Sequence, residues 1–225
     1  MKLKLIKEKK EAGDATSFLF EPEDKLKWQP GQYFFYTLPT ESPDNRGVTR
    51  YFTISSAPSE EHIMISTRIS ENSSTFKKSL MNLKAGDEIE ASGPDGQFVV
   101  DDPKRDLIFI AGGIGITPFR SILVENALNN EKLNVQLLYA NKDKHIVFKD
   151  ELVSLKDRLN LKIDYFISPT HITENSINSE FSILNSQFFI SGPNGFVREI
   201  RDMVKELGVR KENIKLDFFP GYSIF

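Results

Sequence analysis

The sequence predicts two domains: an antiparallel β-barrel followed by an α/β domain with a doubly wound parallel sheet. Up to about residue 101, short strand-like runs alternate with Gly and Pro turns, which is typical of a small barrel. After that point β and α segments alternate, and their first strand is continuously apolar, as expected for a strand buried on both faces. We therefore place the domains at residues 1–101 and 102–225.

The first domain contains seven strand-like segments and one helical segment. The predicted strands are residues 2–10, 17–21, 32–38, 50–55, 62–69, 87–91 and 97–100, and the predicted helix is 75–83. Because Gly and Pro interrupt regular structure, turns are expected at residues 30–31, 43–44, 93–94 and 95–96.

The second domain is predicted to begin with a strand at residues 107–111. Thr117 is expected to cap the helix that follows, with Pro118 in its first turn. Residues 171–186 are polar and are expected to form a surface loop. The remaining strands are predicted at 135–140, 163–167, 188–190 and 214–218, and the remaining helices at 146–159 and 194–207.

Composition excludes several classes of function. The formal net charge of -3 offers no basic field for nucleic acid. Because the chain has no Cys, it holds no disulfide, no Cys nucleophile and no Cys-bound iron–sulfur cluster. The three His residues lack metal-ligand spacing, so no metal site is expected. No apolar run approaches the roughly 20 residues of a membrane span, and no signal peptide is recognisable, which favours a cytoplasmic setting.

A glycine-rich loop joins a strand to a helix in the second domain. Gly112, Gly113 and Gly115 allow a phosphate to approach the backbone, and the helix start supplies unpaired N–H groups. The spacing is not the standard dinucleotide motif, and the next strand does not end in an acidic residue. A tight turn without a ligand therefore remains an alternative.

A strand at residues 50–55 combines a cation, aromatic rings and hydroxyls. Alternation places Arg50 and Phe52 on one face, and Tyr51 and Thr53 on the other. A flavin nucleotide offers matching groups: a diphosphate, a flat ring and a hydrogen-bonding edge. The alternative is an ordinary barrel strand with one solvated Arg.

Six segments in this order resemble motifs of the ferredoxin–NADP reductase superfamily. They are residues 50–53, 72–75, 93–98, 112–118, 191–193 and 217–222. The resemblance extends over essentially the whole chain. It implies a flavoprotein oxidoreductase that binds FAD and transfers a hydride from nicotinamide C4 of NAD(P)H to flavin N5.

The resemblance also implies roles for individual residues. Thr53, Ser191 and Asp217 would form the catalytic group. The FAD-binding residues would be Arg50, Tyr51, Phe52, Thr53, Arg68, Ser73, Ser74 and Thr75. The NAD(P)H-binding residues would be Gly112, Gly113, Gly115, Thr117, Pro118, Ser191, Gly192 and Pro193, with Phe219 closing the site.

Three residues depart from the family pattern. Phe52 replaces a Tyr and loses its hydroxyl, and Ser191 replaces a frequent Cys. Asp217 replaces a Glu. Its side chain is one methylene shorter, so it reaches less far toward the flavin.

The electron acceptor and the choice of nucleotide remain open at the level of sequence. The acceptor could be a ferredoxin, a flavodoxin, an oxygenase component or a small molecule. A non-catalytic electron-transfer or nucleotide-sensing subunit is the alternative. Pro169 stands where NADPH-specific relatives place an Arg, which favours NADH, whereas Lys142 could approach a 2′-phosphate.

Overall fold

The computed structural model describes residues 1–40, 42–177 and 181–219. They form a six-stranded antiparallel sheet followed by a five-stranded parallel sheet. Of the segment predicted at 217–222, Pro220, Gly221 and Tyr222 lie outside the described residues.

The first sheet is a half-barrel with an apolar interior. Its strands are β1 (Lys2–Lys10), β2 (Ala15–Pro22), β3 (Tyr33–Thr37), β4 (Thr49–Thr53), β5 (Ile63–Arg68) and β6 (Glu88–Asp95), in the order β4-β3-β6-β1-β2-β5. Alternation along β1 buries Leu3 and Leu5 and exposes Lys2 and Lys4, as a strand with one buried face requires. The short helix α1 (Thr75–Met81) adds Phe76 and Leu80 to the same core.

The two edges of the half-barrel meet just beyond β4. The backbone N–H of Ser55 donates to the carbonyl of Met64 in β5 at 2.8 Å. The predicted antiparallel barrel is thus confirmed as a half-barrel.

The second sheet is parallel throughout, which confirms the predicted doubly wound domain. Its strands are β7 (Leu107–Gly112), β8 (Asn134–Asn141), β9 (Asn160–Ile167), β10 (Gln187–Pro193) and β11 (Ile214–Phe219), in the order β11-β10-β7-β8-β9. The central strand β7 is buried along its whole length. Helices α2 (Thr117–Leu128), α3 (Lys149–Ser154) and α4 (Asn194–Glu206) connect the strands.

Two predictions in the first domain are wrong. Residues 93–94 are not a turn, because β6 continues through them to Asp95. Opposite them the register shifts between Tyr33 and Phe35, so a bulge accommodates the extra residue. Residues 97–100 form no strand: Phe98 packs edge-on against Phe119 and Phe189 of the second domain instead.

The start of α2 also differs from its prediction. Thr117 is not the helix cap, because a 3-10 turn at Gly113–Ile116 runs directly into α2 and Ile116 holds the cap position. The backbone is thus already helical before Thr117. Pro118 does lie in the first turn of α2, as predicted.

Three further predictions in the second domain need correction. The helix predicted at 146–159 is only α3, because Phe148 before it has a positive φ of 59° and ends any earlier helical run. The strand predicted at 188–190 is longer: it continues through residues 191–193, which pair with β11. The segment 171–186 is not entirely a surface loop, since Ile172 and Ile177 pack into the core of the parallel sheet.

No helix formed by the described residues is long and apolar enough to cross a membrane.

Candidate active site

Three predicted catalytic residues from three separate strands meet at one carboxylate oxygen. Ser191 at the end of β10 donates from Oγ to Asp217 Oδ2 at 3.1 Å. Thr53 at the end of β4 donates from Oγ1 to the same oxygen at 3.5 Å. Parallel pairing places Ser191 directly opposite Asp217 of β11, so the sheet fixes this pair, and Thr53 reaches it from the other domain. The side chain of Asp217 is thus long enough to accept hydrogen bonds from both Ser191 and Thr53, and its reach to the flavin stays a prediction.

Asp217 is less acidic than an ordinary aspartate. Burial of the carboxyl group raises its pKa from 3.8 to about 6, although the hydrogen bonds from Ser191 and Thr53 act in the opposite direction. The carboxyl thus titrates near neutral pH at the junction of the two sheets, which is a property of groups that exchange protons.

An aromatic cluster lies beside this group on the outer face of β3 and β4. The rings of Tyr33 and Tyr51 are 5.3 Å apart, and Phe35 packs edge-on against Tyr33 at 5.5 Å. Tyr51 also donates from its hydroxyl to the carbonyl of Phe218 at 3.4 Å. Tyr51 was predicted from the strand motif. Tyr33 was not, because only the folded pairing of β3 with β4 brings it to the site.

Hydrogen bonds hold the Arg50 guanidinium in a fixed orientation and leave its Nε edge without a partner. Nη2 bonds to Asp44 Oδ1 at 2.5 Å, and Nη1 donates to the carbonyls of Arg46, Gly47 and Thr49 at 2.8–2.9 Å. Nε is buried and has no hydrogen-bond partner. A buried donor without a partner is costly, so a phosphate oxygen at this edge suits the site.

The predicted diphosphate hydroxyls lie next to Arg50. Asp44 connects the two regions, since its backbone N–H donates to Thr75 Oγ1 at 3.0 Å. Ser73 and Ser74 each accept a backbone N–H through Oγ, so their own hydroxyl protons remain to be donated. This donor set fits the diphosphate of FAD.

Phe52 lies on the same side of the half-barrel. Its ring packs against Phe76 at 5.6 Å and against Tyr36 at 6.1 Å, and it is only partly buried. A flat apolar surface is thus available beside Arg50, which suits a flavin ring.

Arg68 lies apart from the Arg50 region. Nη1 forms an ion pair with Asp14 at 2.6 Å, near the turn between β1 and β2. The adjacent Gly13 lies against His145 of the second domain. The guanidinium of Arg68 makes no described contact with Arg50, Thr53 or Asp217, but the Arg68 carbonyl accepts from Lys77 Nζ of α1 at 2.9 Å. The role of Arg68 toward FAD stays a prediction.

The glycines of the nucleotide loop have different surroundings. Gly113 has a φ of +55° and open space where a side chain would begin, which leaves room for a phosphate. At Gly115 a Cβ would overlap the carbonyl of Ser191, so this glycine allows the loop to pack on β10. Thr117 and Pro118 are buried in the first turn of α2.

Phe196 at the start of α4 is a site residue that sequence reasoning missed. Its ring would lie about 3 Å from a Cβ at either Gly112 or Gly192, so it packs across both strand ends. Pro193 pairs with Phe219, which packs partly buried against the main core of the second domain. The nucleotide loop, Ser191–Pro193 and Phe219 all lie at the carboxyl ends of strands of the parallel sheet, where open α/β sheets bind nucleotides.

Comparisons with known proteins match both halves of the chain. A family model described as the oxidoreductase FAD-binding domain matches residues 2–100. A second, described as the oxidoreductase NAD-binding domain, matches residues 109–202.

Relatives and solved structures give the same result. Flavohemoprotein A of Dictyostelium discoideum is 29% identical over 231 residues, which are 93% of this chain and 57% of that protein. The FAD/NAD-binding domain of nitric oxide dioxygenase from Vibrio cholerae superposes with a TM-score of 0.85 at 24% identity, covering 97% of this chain and 98% of that one. Ferredoxin-NADP+ reductase from Plasmodium falciparum superposes at 0.76 with 19% identity, covering 97% and 95%. The chain spans about three fifths of the length of the flavohemoproteins it matches.

Fold and site thus define a two-domain reductase in which an antiparallel half-barrel binds FAD and a parallel sheet binds NAD(P). The chain belongs to the oxidoreductases that combine an FAD-binding domain with an NAD-binding domain. It shares its fold with ferredoxin-NADP+ reductase.

Proposed function

We propose that this chain transfers a hydride from NADH to FAD at the junction of its two domains and passes the electrons to a separate acceptor. The observation that carries the proposal is the convergence of Thr53, Ser191 and Asp217 on one oxygen. Thr53 belongs to the strand that also bears Arg50, whereas Ser191 lies in the sheet that bears the nucleotide loop. A group shared by both domains suits a reaction between two ligands, one bound by each domain.

Each residue has a role that follows from its surroundings. Arg50 binds the diphosphate of FAD through its unpaired edge, and Phe52 packs against the flavin ring. Gly113 and the loop around it bind the pyrophosphate of the nucleotide. Asp217, with its pKa near 6, holds or accepts a proton at the Thr53 and Ser191 hydroxyls. Bound FAD supplies the hydride acceptor and then releases electrons singly or in pairs.

The preference for NADH rests on the surroundings of the β8 and β9 ends. The N–H of Ser168 donates to the carbonyl of Asn141 at 3.0 Å, so the two strand ends lie side by side. Pro169 follows and has neither a charge nor an N–H for a 2′-phosphate. Hydrogen bonds from the backbone and ring of His145 lower the pKa of Asp143 on the segment leaving β8, so an anion lies near this end. That arrangement suits a ribose hydroxyl better than a second phosphate.

The acceptor is proposed to be a redox partner or small molecule bound at the junction of the domains. Haem-containing partners are favoured by the similarity to flavohemoproteins, and a ferredoxin is the second candidate. The alternative of a non-catalytic subunit predicts nucleotide binding without turnover.

The test is reduction of the FAD-loaded chain by NADH and NADPH in the absence of oxygen, followed by turnover with ferricyanide. Loss of flavin absorbance on adding NADH, with kcat/KM higher for NADH than for NADPH, is expected. Absence of flavin reduction by either nucleotide would refute the enzymatic proposal. A panel of a haem protein, a ferredoxin, a flavodoxin, a ferric chelate and a quinone then ranks the acceptors.

A further inference from the structure

A segment of the first domain lies along the first two turns of α2 in the second domain. Ser121 donates from Oγ to the carbonyl of Ser56 at 2.6 Å, and the backbone N–H of Ser59 donates to Glu125 Oε2 at 2.8 Å. This segment, residues 55–60, begins two residues after Thr53. The helix begins directly after the nucleotide loop. The contact therefore joins the strand that carries the flavin site to the helix that carries the nucleotide site.

Arg120 is the centre of this contact. Its guanidinium makes five hydrogen bonds: two to Glu60, two to Glu151 and one to the carbonyl of Ser55, all between 2.6 and 2.9 Å. A guanidinium has five N–H donors, so every donor is used. Glu60 belongs to the first domain and Glu151 to α3, so one side chain joins three segments of the fold.

The surroundings of Arg120 keep this geometry rigid. The residue is only 6% exposed, and its guanidinium also lies 5.3 Å from the centre of the Phe148 ring. Glu60 is itself fixed, because Oε2 accepts the backbone N–H of Ala57 at 2.7 Å. Burial alone would lower the pKa of Arg120, but Glu60 and Glu151 outweigh it and raise that pKa. The charge is thus retained inside the contact.

A Lys could not replace this Arg. An ammonium group has three donors and no planar fork, so it cannot serve both carboxylates and the Ser55 carbonyl in the observed directions. Three of the five hydrogen bonds go to Ser55 and Glu60 of the first domain, so Arg120 does more than attach α2 to its own domain.

From this arrangement we propose that Arg120 is a positioning residue: it fixes how the FAD-binding half-barrel sits on α2, and thereby the distance between flavin and nicotinamide. The inference rests on the proposed hydride transfer. Hydride transfer needs ring atoms at about 3–3.5 Å, and a misplacement of about 1 Å can cost roughly a hundredfold in rate. All five donors of Arg120 are used on Ser55, Glu60 and Glu151, so it acts through residues 55–60 and Glu151.

The test compares Arg120→Lys and Glu60→Gln with the matched control Arg105→Lys, all loaded with FAD. Arg105 also uses its guanidinium as a fork, on Asn185 and Asn213, but entirely within the second domain. Stopped-flow reduction by NADH separates the rate constant of flavin reduction from the nucleotide dissociation constant. We expect both test variants to lower that rate constant about tenfold or more, with FAD content and nucleotide affinity within about twofold of wild type. The double variant should be little worse than Arg120→Lys alone, because both substitutions disrupt the same Arg120–Glu60 pair.

Amide hydrogen exchange supplies a readout that does not depend on activity. Residues 55–60 should lose protection in Arg120→Lys and keep it in Arg105→Lys. Unchanged reduction rates in both test variants, or an equal loss in Arg105→Lys, would overturn the inference. If wild type fails to reduce its flavin, the proposed function fails. Unchanged protection at residues 55–60 would then refute the interdomain role of Arg120 as well.

Discussion

Single residues of this site are positioned by contacts that exist before any ligand is considered. Arg50 already makes four hydrogen bonds, to Asp44 and to three carbonyls, and keeps only its Nε edge unpaired. Such an orientation lowers the entropy lost on binding a phosphate. The charge and the position of Arg50 were predictable from the sequence. Its pre-orientation was not, because the carbonyls that hold it come from a loop without a regular pattern.

Removing the Arg50 side chain should weaken FAD binding more than it lowers stability. Arg50→Ala loses a charge-assisted contact of about 1.5–3 kcal/mol, equivalent to a rise of roughly ten- to a hundredfold in the FAD dissociation constant. The matched control is Arg46→Ala, whose side chain is nearly half exposed and, among the described residues, pairs with Asp44. Titration of flavin fluorescence measures both. Equal affinities in wild type and Arg50→Ala would show that Arg50 does not bind the diphosphate.

Asp217 should make the FAD-free protein less stable as the pH rises. Its folded pKa of about 6 exceeds the ordinary value of 3.8, so the folded state holds a proton that the unfolded chain has released. The stabilisation is complete below pH 3.8 and is lost as the pH rises through 6, with an upper limit of ~3 kcal/mol. Asp217→Asn removes the titration while keeping an acceptor for Ser191 and Thr53.

Urea unfolding at pH 4 to 7 checks this expectation. The free energy of unfolding of Asp217→Asn, relative to that of wild type, should increase as the pH rises from 4 to 7. The control Asp157→Asn replaces an exposed aspartate, and its plot of unfolding free energy against pH should be parallel to that of wild type. Parallel curves for Asp217→Asn and wild type would contradict the raised pKa.

At the scale of elements, the pattern of apolar and turn residues predicted most strands correctly. It failed where a strand continues through Gly and Pro, and where a strand-like run packs against the other domain. Gly93 and Pro94 look like a turn in sequence, yet they continue β6 because β3 shifts its register opposite them. Phe98 looks like part of a strand, yet its contacts with Phe119 and Phe189 lie across the domain junction. Both errors have one cause: the deciding partner is distant in sequence.

The turn before β3 depends on Gly31 for two separate reasons. Gly31 has a φ of +96°, and a Cβ there would overlap the carbonyl of Phe98. Gly47 has a φ of +73° but open space around it. Both Gly→Ala variants should lose about 1–2 kcal/mol for the left-handed backbone, and Gly31→Ala should lose a further 1–3 kcal/mol or so for overpacking. Thermal or urea unfolding of the pair checks this; equal losses would show that the Phe98 backbone moves aside without cost.

At the scale of the whole molecule, the group formed by Thr53, Ser191 and Asp217 exists only where the two sheets meet. Thr53 and Asp217 are 164 positions apart, and no spacing rule connects them. Their meeting could be foreseen only from the resemblance to a known class of two-domain reductases. The Arg120 contact could not be predicted in this way. An Arg on a helix is normally expected to be solvated, and its partner Glu60 is 60 positions away.

The proposed preference for NADH depends on the carboxyl end of the parallel sheet, where β8 and β9 end side by side. If the missing cation beyond β9 is what favours NADH, adding one there should shift the preference toward NADPH. Thr170→Arg places a guanidinium next to Pro169 at an exposed position. Paired with a 2′-phosphate, it should raise the ratio of kcat/KM for NADPH to that for NADH about tenfold, or ~1.4 kcal/mol.

Asn175→Arg is the matched control, because it adds the same charge at an exposed position five residues farther along and should change the ratio far less. Ferricyanide reduction with both nucleotides gives kcat and KM for NADH and for NADPH in each variant. High salt should reduce the gain, since an exposed ion pair is screened. A wild-type preference for NADPH above tenfold would contradict the assignment outright. Lys142→Ala would then be expected to abolish that preference, because Lys142 is the cation that follows β8 at the same edge of the sheet.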